Sequence, residues 1–227
     1  MADYRGACQV ADCRGLIIRL NSRRFTGRHL QIETRPTLLL ATSNADEIRE
    51  FRLIFGDRVD LLAPVDLGLD LKVDEAGSSY TMNARSRAEA YFAATQVPTI
   101  GEDSGLEIDA LSETSVLHRA HFERLSDGAT TNAHVLELLA ALPPPRRTCH
   151  YRCTIVFKPT AEEEHVFHGI CSGYVVQAPA GTGGFSFDPI VRLSGLNRTV
   201  AELTDEERIA VTHRARAARK LLRFLRV

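Results

Sequence analysis

Apolar residues in the first half of the chain recur at spacings that predict strands and helices in alternation. The apolar run Thr37–Ala41 is typical of a short buried strand. After it, Ile48, Phe51 and Phe55 recur at the spacing of one helix face. Asn44 is a suitable N-cap for that helix, and the acid three residues later predicts a capping box.

The same alternation continues through the middle of the chain. Strands are predicted at 59–62 and 98–101, and an extended segment at 106–111. Helices are predicted from about Gly77 and over 131–142. The residues expected to face the core from these two helices are Ala84, Ala88, Phe92, Val135, Leu138, Leu139 and Leu142.

The second half of the chain differs, because long extended segments replace the short strands. Residues 148–157 and 166–176 favour extended pairing and predict an antiparallel hairpin. A glycine-rich loop follows at 181–184. The sequence Thr204-Asp205-Glu206-Glu207 is a capping box, and it predicts the start of one long, basic C-terminal helix. Strands alternating with helices, interrupted by a hairpin, predict an α/β fold.

The composition is that of an ordinary globular protein, with 44% hydrophobic and 25% charged residues in a chain of 227. A net charge of −1 argues against bulk binding to nucleic acid. No apolar run approaches the ~20 residues needed to span a membrane. The five cysteines follow no zinc-ligand pattern, so we expect reduced thiols in a cytoplasmic protein.

The composition also predicts how the chain is divided. Residues 1–36 hold seven Arg, three acids and no Lys, and we expect an N-terminal extension that is either a short extra strand or partly mobile. A targeting arm is the alternative. Residues 37–227 are expected to form a single α/β domain of two lobes, the smaller at roughly 148–190. The cleft between the lobes is where a ligand would bind.

Two pairs of adjacent acids stand where predicted strands give way to loops. They are Asp74-Glu75, which precedes a helix, and Glu102-Asp103, which follows the strand predicted at 98–101. Adjacent carboxylates repel each other, so a positive group should face them. Mg2+ prefers oxygen ligands and keeps several waters, which suits a few carboxylates. Because the helix start at Thr42-Ser43-Asn44 favours an anion, we predict a metal–phosphate site, with solvated turn acids as the alternative.

Two further stretches carry aromatic and cationic side chains. In the segment 183–190, Phe185 or Phe187 is suited to stacking on a flat ring, with Asp188 accepting from its N–H edge. Anchoring of both rings in the core is the alternative. The C-terminal helix carries polar groups that suit a phosphate or a carbonyl, unless they form a solvated face: Arg208, Thr212, His213 and Arg214.

Taken in order, these stretches resemble the inosine triphosphate pyrophosphatase (ITPase) family, also described as XTP/dITP diphosphatases. The matching motifs are Thr42-x-Asn44, Asp74 to Gly77 with Asn83-Ala84-x-x-Arg87, Asp103-Ser104-Gly105-Leu106, Gly184-Phe185-Ser186-Phe187-Asp188-Pro189, and Arg208-Ile209-Ala210-Val211-Thr212-His213-Arg214. The resemblance implies an elongated, two-lobed α/β fold with a central mixed sheet and a cleft between the lobes. It also implies a homodimer.

The resemblance further implies an activity and roles for individual residues. Members cleave deaminated purine nucleoside triphosphates (ITP, dITP and XTP) to the monophosphate and pyrophosphate. Asp103 would be the catalytic residue that orients or deprotonates the attacking water. A Mg2+ cofactor would be held by acids from both pairs, namely Asp74, Glu75, Glu102 and Asp103. The implied substrate-binding residues are Thr42, Asn44, Arg87, Ser104, Phe185, Phe187, Asp188, Arg208, Thr212, His213 and Arg214. Neither nucleic acid nor a membrane is an expected partner.

Several positions depart from the family pattern. Glu47 stands where a lysine is expected beside the triphosphate, so binding weakens unless Arg49 or Arg52 takes its place. The other departures are Met82 for an acid, Ile209 for a common asparagine, and the segment 115–121, which lacks the usual Pro-Gly. Two alternatives therefore stay open. One is a diverged member acting on another nucleotide, and the other is a catalytically weak protein that binds nucleotide as a sensor or partner.

Overall fold

The structure is a computed structural model that describes residues 35–73, 79–114 and 128–227, and the chain from residue 35 onward forms one compact unit. The predicted N-terminal extension lies outside the described residues except for its last two. The strands are β1 (Thr37–Leu40), β2 (Asp60–Leu62), β3 (Thr99–Ile108), β4 (Thr148–Lys158), β5 (His165–Val175) and β6 (Val191–Leu193). They form one mixed sheet in the order β2-β1-β3-β4-β5-β6. β1 pairs parallel with β2 and β3, and the pairings from β3 to β6 are antiparallel.

The helices that flank this sheet are α1 (Ala45–Phe55), α2 (Tyr80–Thr95), α3 (Gly128–Leu138), α4 (Asp205–Val211) and α5 (His213–Leu225). Short 3-10 turns lie at Gly56–Arg58, Pro64–Leu67, Asp109–Thr114, Pro144–Arg146, Asp188–Ile190 and Val200–Glu202. α1 begins as predicted, because Asn44 Oδ1 accepts from the backbone N–H groups of Asp46 (2.9 Å) and Glu47 (3.4 Å). The α/β class and the mixed sheet predicted from the sequence are confirmed.

One predicted core residue is wrong. Leu138, the last residue of α3, is 40% exposed, whereas Val135 and Leu139 are fully buried. The chain turns where α3 ends, so Leu138 faces solvent while Leu139, which was also predicted to face the core, is buried. The hairpin predicted for residues 148–177 is present as β4 and β5.

β3 corrects the interpretation of Glu102 and Asp103. The prediction placed these acids in a loop between two extended segments, but one continuous strand runs from Thr99 to Ile108. Its pairing explains the length, because the parallel ladder with β1 stops at Ile100 while the antiparallel ladder with β4 continues to the end. The two acids therefore lie within a strand, beyond the point where β1 covers its other edge.

The C-terminal helix, predicted as a single element, is divided into α4 and α5. α4 begins at the predicted capping box, in which Thr204 Oγ1 accepts from the N–H of Glu207 at 3.2 Å. Thr212 then has extended backbone angles (φ −68°, ψ 161°), and its side chain caps a new helix. Threonine is a favoured N-cap residue, and this cap interrupts the single helix that the sequence pattern predicts. The break makes His213 and Arg214 the first residues of α5.

Two hydrophobic cores lie along the same long strands. The first packs α1 and α5 against one face of the sheet and includes Cys153 and Ile155 of β4. The second includes Cys149 and Tyr151 of the same strand, together with α3 and Ile190. β4 therefore passes through both cores, as expected for a two-lobed fold. The extent of the smaller lobe stays a prediction.

Two glycines allow helices to lie directly on the sheet. A Cβ at Gly101 would lie 1.9 Å from the carbonyl oxygen of Ala84 in α2. A Cβ at Gly169 of β5 would lie 2.0 Å from the carbonyl oxygen of His213 and 2.7 Å from the backbone nitrogen of Ala217. The start of α5 is therefore held against β5 with no space for a side chain.

The cysteines of the described residues are free thiols. Cys149, Cys153 and Cys171 are buried, and burial raises the pKa of Cys149 to about 12 and that of Cys171 to about 11. Cys8 and Cys13 lie outside the described residues. Within the ranges that the structure describes, every helix is too short or too polar to cross a membrane.

Candidate functional site

The centre of the site is Arg214, in the first turn of α5. Its Nε lies 3.2 Å from Oε1 of Glu102 on β3, and its Nη1 lies 3.2 Å from Oε2 of Glu50 on α1. Its Nη2 donates to Oγ of Ser104 at 2.7 Å and lies 3.6 Å from Oε1 of Glu47. Arg214 is only 6% exposed, so three carboxylates meet one guanidinium in a shielded place.

This Arg214 cluster holds more negative than positive charge, because three carboxylates surround a single cation. Burial alone would lower the pKa of Arg214, but the carboxylates of Glu102, Glu50 and Glu47 raise it above its ordinary value. The pKa of Glu47 is also raised, first by burial and then by the charge of Glu102. The charges of Arg214 and Arg87 both lower the pKa of Glu47 but do not offset these two effects, so a further cation beside Glu47 would stabilise its ionised form.

The start of α1 turns its acid toward the Arg214 cluster. Thr42 Oγ1 donates to Oε2 of Glu47 at 2.7 Å and accepts from the N–H of Asn44 at 3.2 Å. Half of the capping box predicted between Asn44 and Glu47 is formed, because Asn44 Oδ1 accepts from the N–H of Glu47 at 3.4 Å. The return bond is replaced: the Glu47 carboxylate accepts from Nδ2 of Asn44 at 3.4 Å and from Thr42, and the backbone N–H of Asn44 donates to Thr42 Oγ1. Thr42 and Asn44 therefore lie at the site, at the start of α1, and both donate to the carboxylate of Glu47.

The other cations of α1 are engaged elsewhere. Arg49 Nη1 lies 3.5 Å from Oδ2 of Asp205, and Arg52 Nη2 lies 2.9 Å from Oδ2 of Asp66. Both arginines are about half exposed and pair at the surface. Neither takes the place of the lysine that the family pattern has at position 47.

Glu102 and Asp103 point to opposite faces of β3, as neighbours on a strand do. Glu102 faces Arg214, whereas Oδ2 of Asp103 accepts from Nδ2 of Asn83 on α2 at 3.0 Å. Arg87, one turn after Asn83, donates to the backbone carbonyl of Glu102 at 2.6 Å. Opposed side-chain directions and separate partners therefore allow the two acids to be adjacent, so a single shared cation is not required.

The predicted acid pair Asp74-Glu75 lies outside the described residues, and its place beside Asp103 stays a prediction. Among the residues that the structure describes, no three His, Cys, Asp or Glu side chains are grouped so as to hold a metal ion. The donor chemistry still fits Mg2+, because this ion is commonly bound by one or two carboxylates together with substrate phosphates. Asp103 offers such a carboxylate in a buried position.

Asp188 closes the loop at 183–188. Its Oδ2 accepts from the N–H of Phe185 at 3.0 Å, and its Oδ1 accepts from the hydroxyl of Tyr151 at 3.0 Å. Gly184 has φ +69°, and a Cβ there would lie 2.1 Å from Oδ2 of Asp188, so a side chain at this position would break the turn. Burial raises the pKa of Asp188 to about 6.

The two phenylalanines of this loop have different surroundings. The ring centroid of Phe185 lies 4.9 Å from Cζ of Arg214, a cation–π contact at the centre of the site. Phe187 packs against the second hydrophobic core, as the core-anchor alternative predicts. Buried Arg208 lies beside the loop and contacts Oδ1 of Asp205. Phe185 is therefore the aromatic residue placed to meet a ligand.

Tyr151 and His213 stack in parallel beneath the site, with ring centroids 4.6 Å apart and planes inclined by 5°. Burial, and then the charge of Arg214, lower the pKa of His213 well below its ordinary value, so the imidazole is neutral at physiological pH. Its buried Nδ1 has no hydrogen-bond partner in the described part of the chain. A void of about 10 Å3, room for one water, adjoins Tyr151, His213 and Asp188.

Sequence reasoning did not find Glu50 or Tyr151. Glu50 accepts from Thr212 Oγ1 at 3.2 Å and bonds to Arg214. Its spacing of three residues from Glu47, which places both on one helix face, is the signal that was available. For Tyr151, the signal is a tyrosine on the buried face of a strand, because its hydroxyl then needs a partner.

The other departures from the family pattern lie apart from the Arg214 cluster. Met82 is 47% exposed on α2. Ile209 packs against the first hydrophobic core and adjoins a small void beside Phe185 and Arg208. The segment 115–121 lies outside the described residues.

Comparison with known proteins identifies relatives that match most of this chain. The model of the Ham1 family matches residues 38–224. The dITP/XTP pyrophosphatase of Shigella flexneri is 36% identical over 195 residues, which are 83% of this chain and 98% of that protein. The dITP/XTP pyrophosphatase of Symbiobacterium thermophilum is 37% identical over 196 residues, 85% of this chain and 96% of that protein.

Solved structures share the same architecture. The Ham1 protein of Staphylococcus aureus superposes with a TM-score of 0.72 at 29% identity, covering 84% of this chain and 98% of that one. The nucleoside-triphosphatase / dITP/XTP pyrophosphatase of Mycobacterium abscessus gives a TM-score of 0.63 at 34% identity, covering 82% and 98%. The mixed sheet and its flanking helices are therefore common to these chains.

Proposed function

The chain belongs to the Ham1 family, and from that premise we propose that it hydrolyses deaminated purine nucleoside triphosphates. Its enzyme class is nucleoside triphosphate pyrophosphatase. In the proposed reaction water hydrolyses the anhydride bond between the α- and β-phosphates, which gives the monophosphate and pyrophosphate. ITP, dITP and XTP are the proposed substrates, because the curated relatives are dITP/XTP pyrophosphatases that match most of the chain.

The observation that carries the proposal is the convergence of distant motifs on Arg214. This residue donates to Ser104 at 2.7 Å, lies 4.9 Å from the ring of Phe185, and follows His213 at the start of α5. A flat ligand ring with polar atoms at its edge is bound by a protein aromatic ring that stacks on its face and by fixed hydrogen-bond donors at its edge. We therefore place the base against Phe185, with Arg214 and His213 at its edge.

The preference for a 6-oxo purine follows from the donors at this edge. Arg214 can only donate, so it favours a carbonyl and would leave the amino group of adenine unpaired. Neutral His213 adds one donor and one acceptor, and its Nδ1 is unpartnered among the described residues. Asp188 holds the loop that carries Phe185, because both of its oxygens already accept hydrogen bonds from the protein.

Asp103 is the proposed catalytic carboxylate. The amide of Asn83 holds it in one orientation, which suits a group that orients the attacking water or accepts its proton. Asp103, with Asp74 and Glu75, would hold Mg2+, which when bound supplies polarisation of the phosphoryl oxygens. Glu102 is assigned to the Arg214 cluster instead, since its carboxylate is paired there.

The phosphate side of the proposed site is formed by residues from several elements. Thr42 and Asn44 lie at the start of α1, where backbone N–H groups favour an anion. Arg87 lies beside β3, where it donates to the carbonyl of Glu102. Arg208 contributes a second guanidinium from α4.

A second candidate function, hydrolysis of a different nucleotide, is favoured by Glu47. Its carboxylate is bonded to Thr42 and lies 3.6 Å from Nη2 of Arg214, at the helix start proposed to meet phosphate. A lysine in that place would add a charge-assisted contact worth about 1.5–3 kcal/mol. A substrate whose phosphates lie elsewhere would not lose this contact.

The test is pyrophosphate release in the presence of Mg2+ from ITP, dITP, XTP, GTP, ATP and the pyrimidine triphosphates. The proposed function expects turnover of ITP, dITP and XTP and none of ATP. Turnover confined to another nucleotide supports the second candidate. Binding in calorimetry without turnover of any nucleotide supports a catalytically weak nucleotide-binding protein.

Asp103→Asn tests the catalytic assignment within the same assay. The variant should lose turnover and keep the melting temperature of the wild type, because the amide keeps the size of the carboxylate. Asp60→Asn, on the exposed face of β2, is the matched control and should keep full activity. Retained activity in Asp103→Asn would remove this residue from the mechanism.

We also infer that the protein acts as a homodimer in the cytoplasm, without a nucleic acid or membrane partner. The family resemblance supports the homodimer, and the buried free thiols are compatible with a reducing compartment. Light scattering of the purified chain measures the assembly, and a monomeric mass would contradict this inference.

A further inference from the structure

We propose that Tyr151 is a positioning residue of the base pocket, where its ring sets the plane of the His213 imidazole and its hydroxyl holds Asp188. The inference rests on the proposed function, because it assigns Tyr151 to the place at which the base is read. Tyr151 lies on β4, and none of the motifs that predict the site includes a residue of that strand.

The ring of Tyr151 covers one face of the His213 imidazole. The centroids are 4.6 Å apart with planes only 5° from parallel, and both residues are about 5% exposed. In a close-packed interior the imidazole cannot tilt without breaking this contact or displacing β4. The backbone of His213 is fixed as well, because it lies directly against Gly169 of β5. Tyr151 therefore sets, from beneath, the plane in which the two ring nitrogens lie.

The direction of these nitrogens matters because His213 is a neutral imidazole. A neutral imidazole offers one donor and one acceptor, both in the plane of the ring. Nδ1 is buried and has no hydrogen-bond partner within the described ranges, so it is available to a ligand atom or a water. A tilted ring would misdirect both nitrogens, which weakens substrate binding more than it slows the phosphoryl chemistry.

The hydroxyl of Tyr151 holds the opposite side of the pocket. It donates to Oδ1 of Asp188 at 3.0 Å, and the other oxygen of Asp188 accepts from the N–H of Phe185 at 3.0 Å. Burial raises the pKa of Tyr151 well above its ordinary value, so the hydroxyl remains a donor. One side chain thus connects the loop carrying Phe185 with the start of α5, two segments that are separate in sequence.

Two substitutions distinguish the ring of Tyr151 from its hydroxyl. Tyr151→Phe keeps the stack on His213 and loses the hydrogen bond to Asp188, whereas Tyr151→Leu loses both. We expect KM for ITP to rise about threefold to tenfold in the first and further in the second. The kcat of Tyr151→Phe should stay near the wild-type value, because Tyr151 pairs with Leu106 in the β3–β4 register and so lies on the face of the sheet opposite to Asp103.

Tyr174→Phe is the matched control, because it removes a hydroxyl from a half-buried tyrosine of β5 that lies outside the site. If the role of Tyr151 is merely structural, Tyr151→Phe lowers the melting temperature without raising KM at an unchanged kcat. An unchanged KM in both Tyr151 variants, or an equal rise of KM in Tyr174→Phe, would overturn the inference.

Crystal structures of the variants decide the matter independently of activity. Rotation of the His213 ring in Tyr151→Leu, or movement of Asp188 in Tyr151→Phe, supports positioning by Tyr151. Both groups in their wild-type places would overturn it. A wild-type enzyme that hydrolyses no purine triphosphate refutes the proposed function instead, and these structures then still test the inference.

Discussion

Gly169→Ala is expected to displace the start of α5 and so to reduce activity. The added Cβ would lie 2.0 Å from the carbonyl oxygen of His213 and 2.7 Å from the backbone nitrogen of Ala217, whereas real Cβ atoms stay beyond 3.0 Å. Both obstructing atoms belong to helix backbone, so no side-chain rotation relieves the overlap. α5 must therefore move about 1 Å away from β5 at the turn that carries Arg214.

The expected magnitude differs between stability and activity. Overpacking of this kind costs about 1–3 kcal/mol of stability. For a chain of this size the melting temperature then falls by roughly 2–4 °C per kcal/mol. A displacement of about 1 Å in groups that position a substrate can reduce the rate by about 100-fold. We therefore expect kcat/KM for ITP to fall by about 10-fold to 100-fold at a temperature where the variant is folded.

Gly173→Ala, in the same strand, is the matched control. Its Cβ would lie 2.4 Å from the carbonyl oxygen of Arg192, so it crowds β6 and leaves α5 in place. This variant should lose stability but keep kcat/KM near the wild-type value. Full activity in folded Gly169→Ala, or equal losses of activity in the two variants, would refute the reasoning that contact with β5 positions His213 and Arg214.

Other changes test the charges of the pocket and the core that supports it. Burial raises the pKa of Asp188 from 3.8 to about 6, and its ionised form accepts both bonds that hold the Phe185 loop, so KM for ITP should rise as pH falls through about 6. The native state binds this proton more tightly than the unfolded chain does, so the contribution of Asp188 to stability should decrease as pH rises from about 4 to about 6. Asp188→Asn should remove both the pH dependence of KM, measured by kinetics, and the pH dependence of stability, measured by urea unfolding. Glu47→Lys should lower KM for ITP in steady-state kinetics, because it removes excess negative charge around Arg214 and adds a cation at the proposed phosphate side; an unchanged KM would exclude this helix start from phosphate binding. Arg147→Met should cost about 3 kcal/mol in urea unfolding and keep kcat/KM, because buried Arg147 donates to three backbone carbonyls away from the site.

Most helices and strands could be predicted because their local signals agree with their tertiary contacts. The apolar face of α1, the hairpin of β4 and β5, and the capping box at Thr204 are examples. The errors occur where a tertiary contact overrides the local signal. β3 continues through the polar residues Glu102 to Ser104 because β4 pairs with it throughout. The C-terminal helix breaks at Thr212 because its side chain caps α5 and bonds to Glu50.

The candidate site could be predicted only as far as its motifs extend. Arg214, Ser104 and Phe185 were all singled out from sequence, and the structure brings them together. Glu50 and Tyr151 were missed because their part in the site depends on partners from distant elements. The explanation of Glu102-Asp103 by one shared cation required them to be in a loop, since a strand directs neighbouring side chains to opposite faces. The positions of Asp74 and Glu75 stay predictions.

The long strands that pass through both hydrophobic cores limit how substrate can enter. On β4, Cys153 and Ile155 belong to one core, and Cys149 and Tyr151 belong to the other. Rotation of one half against the other would bend β4, which is hydrogen-bonded to β3 on one side and to β5 on the other, so this strand is no hinge between the two cores. A nucleotide then enters through local rearrangements at the rim of the site, such as separation of the Phe185 ring from the Arg214 guanidinium. The two halves of the protein should also unfold in a single thermal transition.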